Sequence, residues 1–278
     1  MSEASEQTTE TLTEAIRRVL KENSLATLVT LIESSKSIGA KLLVCEKGEC
    51  TGTLGDAELD KIVSRSVEAF LASRIEAETF NINELAPELG KWSDARILCE
   101  RIEPEPRLII CGAGHVGASL AQLACLIGYR TTLIDDRPDF LTRKRFPDKG
   151  IELVVARSWR DALVRSIGGG RNVSVAVVTR GHNEDEECMR AVVEARPDYM
   201  GLIGSRRRTN IVLERLGSSG VDEMILKEVR APIGLDIGAV SPEEVALAIL
   251  AEIVATRRGA EGASLSRWRR ENSMGDKG

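Results

Sequence analysis

Three glycines in the run CGAGHVG, Gly112, Gly114 and Gly117, stand at the GxGxxG spacing directly after the apolar residues 108–111. Each meets a separate steric need. The first permits a tight turn, the second lets a pyrophosphate approach the backbone, and the third lets the following helix pack closely on the strand. Free amides at the start of that helix face an anion, so Gly112, Gly114, His115, Val116 and Gly117 form a candidate cradle. The next apolar run, RTTLID, ends in Asp135, whose carboxylate is placed to accept hydrogen bonds from ribose hydroxyls. Asp136 and Arg137 follow at once, and Arg137 either neutralises a phosphate or pairs with its acidic neighbour on the surface.

Two further segments carry chemistry. In TRGHNEDEE, residues 179–187, His182 and Asp185 are three apart and share one face of a helix start. That pair suits general acid or base work, or a metal contact, and is the provisional catalytic assignment. The bland alternative makes Asn183 the helix N-cap and the acidic run a complement to the helix dipole. In GLIGSRRRTN, residues 201–210, Arg206, Arg207 and Arg208 stand where a helix begins. Positive charge there is disfavoured by about 0.3–1 kcal/mol per exposed residue, a cost that an anion relieves. Guanidinium groups bind phosphate bidentately, so Ser205, Arg206 and Arg207 join the candidate cofactor-binding set, with Ser205 as cap or hydroxyl donor. APIGLDIGA, residues 231–239, has neither helical nor strand period and reads as a loop that lines a site or turns the chain.

The elements that position these residues follow from periodicity. LIICGAG, RTTLIDD, IELVVA, VSVAVVTRG and YMGLIGS are short apolar runs separated by helical segments, the pattern of a parallel sheet covered on both faces. SPEEVALAILAEIVATRR closes this part as a helix with Ser241 as N-cap and Pro242 in its first turn. Upstream, residues 11–23 carry an amphipathic stripe with Thr11 and Glu14 at capping-box spacing. Candidate strands SLATLVTLIES, AKLLVCE and CTGTLG come next, then a helix over 56–74 and the strands IEAETFNI and ARILCERIE. The fold class is therefore α/β: a C-terminal Rossmann-like doubly wound parallel sheet with a smaller N-terminal α+β domain. The expected boundaries are 1–102 for the first domain, 103–107 for a proline-broken linker, 108–258 for the second domain and 259–278 for a flexible tail.

Composition narrows the partners. A net charge of −5 and 3% aromatic residues give little for a phosphate-tracking groove or a base-stacking platform, which argues against nucleic acid. The polar start MSEASEQTTE and the lack of a long apolar run point away from the membrane and to the cytoplasm. Six cysteines without a CxxC pair read as reduced thiols, mostly buried.

Taken together, IICGAGHVGASLAQLACLIGYRTTLIDDRPDF, TRGHNED, YMGLIGSRRR and PIGLDIGAVSPEEVALAILAEI resemble the xanthine dehydrogenase accessory protein family, XdhC/CoxI, collinearly over about 105–255. SIGAKLLV and GECTGTLGDAELD are similar to the family's N-terminal, CoxI-like domain. Family members often carry a glycine run, in some cases with a cysteine, where this chain has Gly55, Asp56 and Ala57, and Cys50 lies out of register with it. The resemblance implies a chaperone that binds the molybdenum cofactor, as molybdopterin or its dinucleotide, and delivers it to a molybdenum hydroxylase apoenzyme. It further points to a cysteine desulfurase as a second partner, and a small N-terminal domain with a loop-lined cleft suits a homodimer in which a neighbour's surface completes the site. Such a protein is a maturation factor and not itself a catalyst. The alternative from the glycine loop alone is an NAD(P)-dependent oxidoreductase with His182 as acid or base.

Overall fold

The computed structural model describes residues 10–73, 75–169 and 172–266. These fall into two compact units that divide between Pro104 and Glu105.

The first unit is α1 (Leu12–Lys21), β1 (Ala26–Glu33), β2 (Lys41–Cys45), β3 (Cys50–Thr53), α2 (Ala57–Ser73), β4 (Ala77–Asn81), α3 (Ile82–Leu85) and β5 (Arg96–Ile102). The strands form one antiparallel sheet in the order β3-β2-β1-β5-β4. Side chains alternate along β2, so Leu42 and Val44 face one side and Leu43 and Cys45 the other. On the first side α2 contributes Leu59, Val63, Val67 and Phe70, a stripe at helical spacing. On the second, Ala15 and Val19 of α1 pack against Leu43 and Cys45. The capping box of Thr11 and Glu14 forms, with the Glu14 carboxylate accepting from the Thr11 amide at 2.9 Å.

The second unit is β6 (Arg107–Cys111), α4 (His115–Leu126), β7 (Arg130–Asp135), β8 (Ile151–Val155), α5 (Trp159–Ile167), β9 (Val173–Val177), α6 (His182–Ala195), β10 (Tyr199–Leu202), α7 (Arg206–Ser218), α8 (Glu223–Glu228) and α9 (Pro242–Arg258). All five strands are parallel, in the order β10-β9-β6-β7-β8. Along β6, Leu108 and Ile110 face α4 and α9, whereas Ile109 and Cys111 face α5, α6 and α7. Both faces are thus covered, which is why these strands read as unbroken apolar runs. The chain winds outward from β6 through β7 to β8, then returns to β9 on the other side of β6. The carboxyl ends of β6 and β9 therefore flank a topological switch point, the place where open α/β sheets bind ligands.

Two details differ from the sequence reading. β6 opens at Arg107, a residue assigned to the linker, because its amide donates to the carbonyl of Asn172 at 2.9 Å. The short helix α8, capped by Asp222, was not anticipated. Of the expected tail, residues 267–278 lie outside the described residues. No described helix is long and apolar enough to cross a membrane.

Candidate functional site

A cavity of about 570 Å³ opens at the switch point. Its floor is the glycine turn. Gly112 has φ +112°, and a Cβ there would come within 2.6 Å of the Val178 carbonyl oxygen. A Cβ at Gly117 would fall on the carbonyl oxygen of Gly112, so α4 can approach β6 only with glycine at that point. Gly114 differs from both, because a Cβ there would meet nothing within 4 Å. It is the N-cap of α4, with no side-chain cap and no acid in the first turn. By contrast Ser158, Ser205 and Ser241 each cap the helix they precede by accepting a backbone amide. The first turn of α4 thus offers its amides to the cavity, with His115 and Val116 on the lining.

Asp135 closes β7 and is 1% exposed. Its Oδ2 accepts the Ala113 amide at 2.6 Å and Arg137 Nη2 at 2.9 Å, and its Oδ1 accepts the Arg137 amide at 2.9 Å and Arg137 Nε at 2.8 Å. Burial pushes the carboxyl upward, but these donors outweigh it and hold Asp135 down at about 2. The Arg137 guanidinium also lies over the Phe140 ring, 3.7 Å from its centroid. Asp136 pairs at 2.9 Å with Arg180, which follows β9, and Arg180 lies 3.7 Å from Glu184 on α6.

Asp185 is fully buried. Its Oδ1 accepts a hydrogen bond from the Thr179 hydroxyl, and its Oδ2 takes Arg208 Nε at 3.0 Å and Nη2 at 2.5 Å. Burial raises the Asp185 carboxyl above its ordinary range despite these two partners. Thr179 and Arg208 both line the cavity, so Asp185 holds them in place from behind the wall.

The structure gathers Gly112, Gly114, His115, Val116, Asp135, Asp136 and Arg137 on one cavity. Gly117 is buried beneath it, and Ser205 caps α7 by accepting the Arg208 amide at 3.3 Å. Arg206 and Arg207 are exposed and stand outside the lining, because only the third arginine of the run turns inward on α7. His182 is exposed at the first residue of α6 and is likewise outside the lining. Asn183 is not the N-cap. Gly181 is, with extended φ −132° and ψ 157°, and its carbonyl accepts the Asp185 amide at 3.0 Å, so the helix starts earlier than the Asn183 reading required. Sequence reasoning passed over Thr179, Arg180, Glu184, Phe140 and Trp159 as lining residues. For Thr179 and Arg180 a signal existed, since they directly follow the run that forms β9 and so sit at its carboxyl end.

A sheet in the order β10-β9-β6-β7-β8, a glycine turn at its first crossover and a cavity at the switch point define a Rossmann-type domain. Residues 108–253 match the XdhC Rossmann domain family, and the chain belongs to that family. Over 159 residues it is 33% identical to a Bacillus subtilis protein described as a probable subunit of xanthine dehydrogenase, covering 57% of this chain and 45% of that protein. It is 29% identical over 156 residues to the molybdenum cofactor insertion chaperone PaoD of Escherichia coli, covering 55% of this chain and 41% of that protein. The chain thus spans less than half the length of these curated relatives. A crystal structure described as a xanthine dehydrogenase from Bacillus halodurans has the same fold, with a TM-score of 0.50 at 18% identity over 93% of this chain and 99% of that one.

Proposed function

We propose that this chain binds the molybdenum cofactor, as molybdopterin or its dinucleotide, and passes it to the apoenzyme of a molybdenum hydroxylase without turning over a substrate of its own. The observation that carries this reading is the pairing, in one cavity, of an uncapped helix start at Gly114 with the inward-facing guanidinium of Arg208. Amides at a helix N-terminus and a guanidinium are the donors that hold a phosphate, and the cofactor carries one. The open space at Gly114 leaves room for that group against the backbone. A volume of about 570 Å³ lies within the range of small-molecule sites. When bound, the cofactor supplies molybdenum redox chemistry, which belongs to the recipient enzyme. The residues of this chain bind it, orient it and keep water from it. Names borne by relatives, an insertion chaperone and a probable component of xanthine dehydrogenase, fit the same role. The alternative, hydride transfer from NAD(P) with His182 as acid or base, needs that histidine at the cavity, and it stands outside the lining.

Gly114→Asp separates binding from folding. The backbone at Gly114 has φ −66° and ψ −167°, which any residue adopts, and its Cβ direction is open, so the fold tolerates the change. The new carboxylate caps the very amides that the ligand needs. Purified protein is incubated anaerobically with molybdopterin cofactor, its cytosine dinucleotide, NAD and NADP, and the retained species is read by native mass spectrometry. Retention of a molybdopterin species by the wild type, lost in Gly114→Asp at unchanged thermal stability, is the expected result. Retention of NAD or NADP alone would overturn the proposal.

A further inference from the structure

The position that reads ribose in this fold, the carboxylate ending the second strand of the sheet's winding, is already occupied. We infer that Arg137 is a specificity-determining residue: by latching Asp135 it closes the ribose-reading position, so that adenine dinucleotides are turned away from the cavity. A carboxylate offers about four lone-pair positions. At Asp135 all four are filled, two by the Ala113 and Arg137 amides and two by the Arg137 Nε and Nη2. An adenosine diol would need two of them, and the backbone donors cannot leave without unmaking the glycine turn at Ala113 or the bend that follows β7 at Arg137. It would therefore have to displace the guanidinium, which makes a bidentate, charge-assisted contact to a carboxylate that is 1% exposed. The guanidinium is also fixed from outside the pair, by the Phe140 ring at 3.7 Å and by Asp136 at 3.8 Å.

A 2′-phosphate, the mark of NADP, fares no better. Arg145 stands outside the lining, its guanidinium donating to the Phe140 and Ala113 carbonyls, and among the described residues the cations that line this edge of the cavity are Arg137 and Arg180. Both are engaged by carboxylates, Arg137 by Asp135 and Asp136, and Arg180 by Asp136 and Glu184. An added phosphate there would meet three carboxylates before a free positive charge. Arg208 is engaged by Asp185 through Nε and Nη2 from behind the wall, and the first turn of α4 has no side-chain cap and no acid, so a phosphate finds donors there that the Asp136 and Glu184 carboxylates do not hold. The cavity is thus open to a phosphate and shut to a vicinal diol, which favours molybdopterin itself over the adenosine half of NAD and, by the same rule, keeps the ribose of a molybdopterin dinucleotide off Asp135.

The inference rests on reading this cavity as the ligand site, and its test runs without the molybdenum cofactor. ADP, 2′,3′-dideoxy-ADP, NAD and NADP are titrated calorimetrically into wild type, Arg137→Met and Arg137→Lys. Wild type should treat ADP and its dideoxy analogue alike, within about twofold, whether both bind weakly or neither binds. Arg137→Met frees the carboxylate and should bind ADP about tenfold tighter than wild type, with a preference for the diol, as the loss of competing charge-assisted bonds requires. Arg137→Lys, which keeps one charge but not the fork, should fall between them. Wild type that favours ADP over the dideoxy analogue by about tenfold, or a folded Arg137→Met that gains nothing, would overturn the inference. Should Arg137→Met not fold, the wild-type comparison and Arg137→Lys decide. Gain of ADP binding in Arg137→Met without molybdopterin retention by wild type would sink the proposed function and leave the latch standing.

Discussion

Two buried carboxylates flank the cavity, each gripped by one arginine, and they lean in opposite directions. Asp135 is held at about 2, whereas Asp185 is raised above its ordinary range. Exposure does not separate them, since Asp135 is 1% and Asp185 0% exposed. The donors do. Asp135 takes two backbone amides and a guanidinium spread over both oxygens, whereas Asp185 takes a hydroxyl on one oxygen and a guanidinium on the other. Backbone amides are fixed by the fold and outweigh the cost of burying the charge at Asp135. At Asp185 that cost wins. Arg137 is therefore built into the fold, and on the proposed function Arg208 is the arginine that an incoming phosphate recruits.

The largest effect should come from breaking this comparison at the amide-rich end. Asp135→Asn places an NH₂ where only acceptors are tolerated, because each carboxylate oxygen meets two donors. Loss of a partnered buried charge of this kind costs about 3–5 kcal/mol. Asp185→Asn should cost less than about 1 kcal/mol, because the Thr179 hydroxyl can turn from donor to acceptor while the amide oxygen still receives Arg208. Urea unfolding followed by circular dichroism at neutral pH measures both. Equal losses would mean that the two sites do not differ as described.

Much of this was legible in the sequence, and the difference between the two sites was not. The glycine spacing, the apolar runs and Asp135 at the end of one of them pointed to the doubly wound sheet and to the glycine turn that floors the cavity, because those features act within a few residues. The three glycines even foretold their separate duties, two of them close-packed and one open. Partners of Asp135 and Asp185 were hidden for different reasons. Arg137 is near Asp135 in the chain, but whether it faces its neighbour or a ligand depends on the Phe140 ring beneath it. Arg208 is remote from Asp185 in the chain, and only the packing of α7 beside α6 brings them together. In a run of three arginines, the helical phase of α7 decides which one turns inward, and its starting residue sets that phase.

Acid titration sharpens the comparison through the sign of each contribution. The Asp135 carboxyl is depressed in the folded protein from an ordinary 3.8 to about 2, so its stabilisation, about 2 kcal/mol, is present above pH 4 or so and lost as pH falls toward about 2. Asp185 acts in reverse. Folding favours its protonated form, so its contribution declines as pH climbs past its ordinary value. Urea midpoints taken from about pH 6 down to about pH 2 should therefore fall in wild type and in Asp185→Asn. The Asp135 component of that fall should vanish in Asp135→Asn. Because the two contributions oppose each other in wild type, an Asp185→Asn curve flat across this window would contradict the latch at Asp135.

The smallest expected effects test whether Arg208 is the recruited arginine. Arg208→Met removes the inward guanidinium and should weaken retention of a phosphate-bearing ligand about tenfold, with inorganic pyrophosphate as the calorimetric probe beside the molybdopterin species. Arg206→Ser and Arg207→Ser delete charges of the same kind from the same helix turn, but both side chains are exposed and outside the lining. Their contribution is limited to the screened field at the cavity mouth, so each should change affinity by less than about twofold, and less still at high salt. This contrast depends on geometry alone, because the three substitutions remove equal charge at neighbouring positions. A uniform tenfold loss at all three would make the run a general basic patch, and the special standing of the arginine held by Asp185 would be gone.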